Sequence, residues 1–157
     1  MRLWRLAKAN RSHDSLDDEA EGAKRIGGRW NSRGTPVVYA APHVSTAAME
    51  VLVHVDWQFA PAHVLIAIDV PENASISKIE EGQLPDDWST YPAPGLLAEI
   101  GDNWVTSGTS LLLDVPSAAS PYERNILINP KHPDASRCTM TIIGPYVFDG
   151  RLKSMNQ

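Results

Sequence analysis

Short apolar runs alternate with polar and Pro/Gly/Asn punctuation along the 157 residues of this chain, with no repeat and no low-complexity linker. Residues 2–7 read as an opening strand, and residues 35–41 as another, built on Pro36-Val37-Val38-Tyr39. Ala62 to Val70 is rich in β-branched residues and closes at Pro71, which marks a strong strand. Leu111 to Val115, Asn125 to Asn129 and Thr139 to Val147 give further strands. Ser45 or Thr46 is placed to cap a helix running to about Val55, and Pro94 to open one through Trp104 that Gly108 ends. Residues 72–94 read as turns, because Pro85, Pro92 and Pro94 interrupt any long element. Residues 10–25 are polar and acidic and read as an exposed loop or short helix with a solvated face. Strands that outnumber helices without regular βαβ alternation predict an α+β fold in one domain spanning 1–157.

The helix near residue 50 is the most informative segment. Ala48, Val51, Leu52 and Val55 form one apolar stripe and Met49 with Val53 a second, which predicts burial around most of the helix. Glu50 and His54 are its strongly polar interior residues and lie on one face. A carboxylate on such a helix either pairs, meets a narrow solvent stripe, or faces a polar cavity.

Composition narrows the setting. Fourteen Lys and Arg against nineteen Asp and Glu give a net charge of −5, which argues against nucleic-acid binding through bulk charge. The single cysteine, Cys138, excludes an internal disulfide and a four-cysteine zinc site, and suits a reducing compartment. No apolar run approaches the roughly 18 residues of a membrane span, and polar residues 8–19 interrupt any signal-peptide core. The expectation is a cytoplasmic protein without a membrane segment.

Several other residues have chemistry to offer. Gly27-Gly28-Arg29 sets a guanidinium beside unobstructed backbone, a pairing suited to phosphate or to an ordinary turn. Arg5, between Trp4 and Leu6, either snorkels or is held by an anion. Tyr39 sits near the end of its strand, and Ser117 follows Pro116 where a buried strand ends. No Gly-x-Ser-x-Gly elbow, Rossmann turn or P-loop is present. Glu50 and His54, with His43 or His132 as a third, could supply metal ligands, although no paired-His signature supports them.

The order of these residues is more specific than any one of them. Trp4-Arg5, Gly27-Gly28-Arg29-Trp30-Asn31, Val38-Tyr39, Ala48-Met49-Glu50-Val51-Leu52 and Val115-Pro116-Ser117-Ala118 together resemble the RES domain. So do the segment from Asn125 to Pro133 and the closing Phe148-Asp149-Gly150-Arg151-Leu152. The resemblance covers residues 2 to 152. It implies a fold similar to ADP-ribosyltransferases, with strands around an NAD-binding cleft, and a toxin of a RES–Xre toxin–antitoxin pair. By position, Arg29, Glu50 and Ser117 match the family's arginine, glutamate and serine, with Arg5 and Tyr39 as accompanying pocket residues. Arg5 is followed by Leu6-Ala7 where many members carry an aromatic residue and a glycine, so the guanidinium carries over but the neighbouring backbone contact does not.

The implied chemistry is cleavage of the nicotinamide–ribose bond, which develops positive charge on the sugar. Glu50 would stabilise that charge or bind a ribose hydroxyl, Arg5 and Arg29 would hold the pyrophosphate, and Tyr39 would stack on nicotinamide. Ser117 would bond the substrate or orient Glu50. NAD is then the substrate, with no cofactor and no metal. The acceptor is left open among water, phosphate and a protein side chain. The resemblance also implies an oligomeric complex with an Xre-type antitoxin that makes the DNA contact and sets carboxyl groups against Arg5 and Arg29. A metal-dependent hydrolase using Glu50, His54 and His132, or a non-catalytic interaction domain, are the alternatives.

Overall fold

Residues 1–155 are described by a computed structural model. Strands β1 (Arg2–Lys8), β3 (His63–Asp69) and β7 (Thr139–Tyr146) form an antiparallel sheet in the order β1-β3-β7. A second sheet has the order β2-β6-β5-β4, from β2 (Val38–Ala40), β4 (Ile76–Lys78), β5 (Leu112–Pro116) and β6 (Arg124–Ile128). Its pairs are antiparallel except β4 with β5. Helices are α1 (Leu16–Ile26), α2 (Val44–Leu52), α3 (Gly95–Ser107) and the short α4 (Arg151–Ser154). The architecture is α+β, as expected.

Alternation along the strands explains how three packing layers are filled. Leu112, Ile126, Ile128 and Val38 point into a core shared with Leu3, Ile66 and Ile68 of the first sheet. The intervening Leu113, Val115 and Leu127 point the other way, onto Leu97, Trp104 and Val105 of α3. A sheet covered on both faces needs apolar residues at nearly every position, which is why Leu111-Leu112-Leu113 is a continuous run. The third cluster packs Ala47 and Ala48 of α2 against Leu6 and Ala41. The two sheets meet where Trp4 and Ala41 exchange backbone hydrogen bonds of 2.8 and 2.9 Å.

Five sequence expectations change in the structure. Helix α2 ends at Leu52, because His54 and Val55 donate back three residues to Val51 and Leu52 in tightened turns. It is not buried around most of its circumference: Thr46, Ala47 and Ala48 are buried, whereas Met49 and Val53 are exposed. Neither Ser45 nor Thr46 caps it; His43 stands at the N-cap without a side-chain bond, and Thr46 Oγ1 donates to Glu123 at 3.2 Å. Residues 10–25 are not simply a solvated face, since Ser15 caps α1 and that helix buries Glu19 and Ala20. The strand β4 lies inside the turn-rich stretch, too short at three residues to show a periodicity.

Candidate active site

The site is built where β1, β2, α2 and the loop after β5 approach one another. Glu50 lies in the last turn of α2, and its Oε1 accepts two hydrogen bonds, from Ser117 Oγ at 2.7 Å and Asn125 Nδ2 at 2.6 Å. Ser117 Oγ also accepts from the Ser120 backbone N–H at 3.0 Å, so its proton is directed at the carboxylate. Oε2 of Glu50 has no hydrogen-bond partner among the described residues. The carboxylate plane is therefore fixed from one side and open on the other.

Glu50 borders two cavities. One, of about 210 Å³, is lined by Trp4, Arg5, Tyr39, Ala47, His54 and Asn125. The other, of about 480 Å³, runs past Arg5, His13, Gly22, His54 and Phe59. A third, of about 520 Å³, is bounded by Arg29, His54, Tyr91 and Ala118. His54 borders all three, and its ring lies 5.8 Å from that of the exposed Tyr91.

Arg29 projects from a tight turn in which Gly28 and Asn31 exchange backbone hydrogen bonds of 2.9 and 3.4 Å. The Tyr39 hydroxyl braces that turn, donating to Asn31 Oδ1 at 2.7 Å and accepting from the Trp30 N–H at 3.1 Å. A Cβ on Gly28 would stand 2.7 Å from that hydroxyl, so only glycine allows the approach. Burial pushes the Tyr39 hydroxyl well above the ordinary tyrosine range. Arg29 Nη1 donates to the carbonyls of Trp88 at 2.7 Å and Thr90 at 3.0 Å. Burial lowers the Arg29 pKa, and the Glu50 charge acts against that shift, so the two groups feel each other electrostatically.

Arg5 is held by an anion, and the anion belongs to the chain itself. Its Nε donates to Glu19 Oε2 at 2.6 Å and its Nη1 to the Tyr39 carbonyl at 2.9 Å. Arg5, Tyr39 and Glu50 thus share a cavity, Ser117 touches Glu50, and Arg29 stands across His54 in the adjoining one. His132 lies apart from them, beside Cys138 and Asp14. Among the described residues no three metal-ligating side chains gather, so Glu50, His54 and His132 do not form a ligand set. No helix among them is long and apolar enough to cross a membrane.

Sequence reasoning missed Glu19, Asn125 and Asn31. Glu19 had a signal: Leu16, Ala20 and Ala23 recur at helical spacing and place it beside the apolar stripe of α1. Asn125 is the second residue of β6, and its Oδ1 is buried without a partner among the described residues. Asn31 had none beyond its place in the glycine-rich turn.

Comparison with known proteins gives the family and the fold. A protein of Sphingobium sp. (strain YBL2) named Prs ADP-ribosylating toxin is 37% identical over 153 residues, 96% of this chain and 95% of its own length. The protein Toxin Res of Photorhabdus laumondii is 40% identical over 143 residues, 90% of each chain. A solved structure of the M. tuberculosis MbcT–MbcA toxin–antitoxin complex superposes with a TM-score of 0.71, covering 98% of this chain and 87% of the other. At 19% identity that likeness establishes the fold. The family model described as RES domain matches residues 2–149, and the chain belongs to the RES domain family.

Proposed function

We propose that this chain is the toxin of a toxin–antitoxin pair and consumes NAD by breaking the bond between nicotinamide and ribose. The observation that carries the reading is the half-tethered carboxylate of Glu50. Ser117 and Asn125 hold Oε1 and leave Oε2 unengaged, and Glu50 lines a cavity together with Arg5 and Tyr39. Departure of nicotinamide leaves an oxocarbenium-like sugar, and a fixed anion beside it lowers the barrier without having to reorganise. Arg29 and Arg5 supply N–H donors for the diphosphate, and Tyr39 offers an aromatic wall. NAD is the substrate in this scheme, and the site residues need no metal or further cofactor.

The acceptor is water, phosphate or a protein side chain. The name of the Sphingobium relative, an ADP-ribosylating toxin, supports transfer of the ADP-ribosyl group over its release to water. An enzyme that drains NAD in the cytoplasm would poison its own cell, so the reading includes an Xre-type antitoxin that covers the cleft. With a net charge of −5, contact with DNA falls to that partner. Incubating the purified chain with NAD, with and without phosphate and with and without a cell extract as the source of protein acceptors, and identifying the products tests the scheme. Release of nicotinamide is expected, and ADP-ribose, its 1″-phosphate or a labelled protein identifies the acceptor. NAD left intact under all conditions would point to an interaction domain instead.

A further inference from the structure

Glu19 is a carboxylate with nowhere to meet water: its side chain is 1% exposed. Burial of such a group is costly unless every oxygen finds a donor. Here each does. Oε2 accepts from Arg5 Nε at 2.6 Å, and Oε1 meets His13 Nδ1, whose ring presents Nε2 to the Lys8 carbonyl at 3.0 Å. The Glu19 backbone carbonyl accepts from Arg5 Nη2 at 3.2 Å. Lys8 and Arg5 both belong to β1, so the contacts close a ring from strand to His13 to Glu19 and back to the strand.

This ring fixes the guanidinium at three points: Glu19 on Nε, the Glu19 carbonyl on Nη2 and the Tyr39 carbonyl on Nη1. Arg5 itself lines both cavities that adjoin Glu50, and two of its N–H groups are not used in these contacts. We propose that Glu19 is a positioning residue for Arg5, presenting its free N–H donors to an anionic diphosphate before the ligand arrives. The proposal rests on reading Arg5 as a substrate contact. An arginine anchored in this way has already lost the side-chain freedom that a loose one would lose on binding. Because the pair is charge-balanced, recognition of the anion relies on aimed donors rather than on bulk charge.

The test uses Glu19→Ala, Glu19→Gln and Arg5→Ala in the full chain, with NAD kinetics and the ¹⁵N–¹H signal of the Arg5 Nε–H. The glutamine carbonyl can accept from Arg5 and its amide can meet His13 Nδ1, so Glu19→Gln keeps the ring. It should leave KM and kcat within about threefold of the parent and keep Nε–H protected. Glu19→Ala should lose that protection and raise KM for NAD about tenfold or more, with kcat within about threefold. In the Arg5→Ala background Glu19→Ala should add nothing, because it acts only through the arginine. Overturning results are a folded Glu19→Ala with unchanged KM, or an equal further loss in the Arg5→Ala background. Should Glu19→Ala fail to fold, Glu19→Asp, one methylene short of Nε, takes its place with the same expectations relative to Glu19→Gln. If the parent does not consume NAD, the functional reading fails by itself. Titration with inorganic pyrophosphate then decides the positioning role through the same signal and the same variants.

Discussion

Ser117 Oγ donates to Glu50 Oε1 at 2.7 Å across 67 positions of sequence, tying the loop after β5 to the last turn of α2. Asn125, at the start of β6, reaches the same oxygen. Glu50→Gln removes the charge while keeping the size, so NAD turnover should fall by about a hundredfold, equivalent to roughly 3 kcal/mol of transition-state stabilisation. Its melting temperature should stay close to that of the parent. Ser117→Ala leaves Asn125 in place, and a smaller loss of about tenfold is expected. A folded Glu50→Gln with parental turnover would remove the catalytic role.

Arg29→Ala should act on binding as well as on rate. Its guanidinium anchors the carbonyls of Trp88 and Thr90 and shares the electrostatic field of Glu50. The expected pattern is a raised KM together with faster amide hydrogen exchange in residues 86–91. An unchanged exchange pattern would mean that the segment holds its shape without the arginine.

Alkaline stability isolates Tyr39. Its folded-state pKa lies above the ordinary value of 10.0, because burial opposes the phenolate. The unfolded chain therefore releases this proton first, and above about pH 10 it binds fewer protons than the folded chain. The contribution of Tyr39 is complete below that pH and is lost progressively as the pH rises from there through the higher folded-state value. Tyr39→Phe gives up the bonds to Asn31 and Trp30, at a cost of about 1–2 kcal/mol near neutrality. Denaturant melts at increasing pH should show the gap between the two proteins narrowing above about pH 10. A constant gap would contradict the assignment.

Gly28→Ala probes the same brace sterically. The added Cβ would lie 2.7 Å from the Tyr39 hydroxyl and 2.9 Å from Asn31 Oδ1. Expected is a loss of about 1–3 kcal/mol in stability, with weaker substrate binding as the Arg29 turn shifts. Gly95→Ala, where nothing lies within 4 Å, serves as the control and should melt at or slightly above the parental temperature. Thermal melts of the two variants side by side decide it.

Much of this arrangement was legible in the residues. The strong strands follow from apolar runs bounded by Pro and Gly, and α3 begins after Pro94 and stops at Gly108, which takes the left-handed conformation. The Glu50–Ser117 contact was one of two roles that the family resemblance offered Ser117, and periodicity could not choose between them, since nothing local relates residues in different elements. Glu19 was hidden by its company: among Asp14, Asp17, Asp18 and Glu21, one inward-facing carboxylate looks like part of a solvated run. The burial of α2 was overread because Met49 and Val53 match a buried pattern yet are exposed, Val53 at the edge of a cavity instead of a core.

The seam between the two sheets has one more implication. Trp4 and Ala41 form an isolated bridge between β1 and the end of β2, and the cavity beside Glu50 opens along that junction. A molecule touching Arg5 on one side and Asn125 on the other would span both sheets, as a rivet spans two plates. Its binding energy would then oppose the separation of the sheets themselves, so an occupied toxin would resist heat and proteolysis as a whole, not merely around one loop.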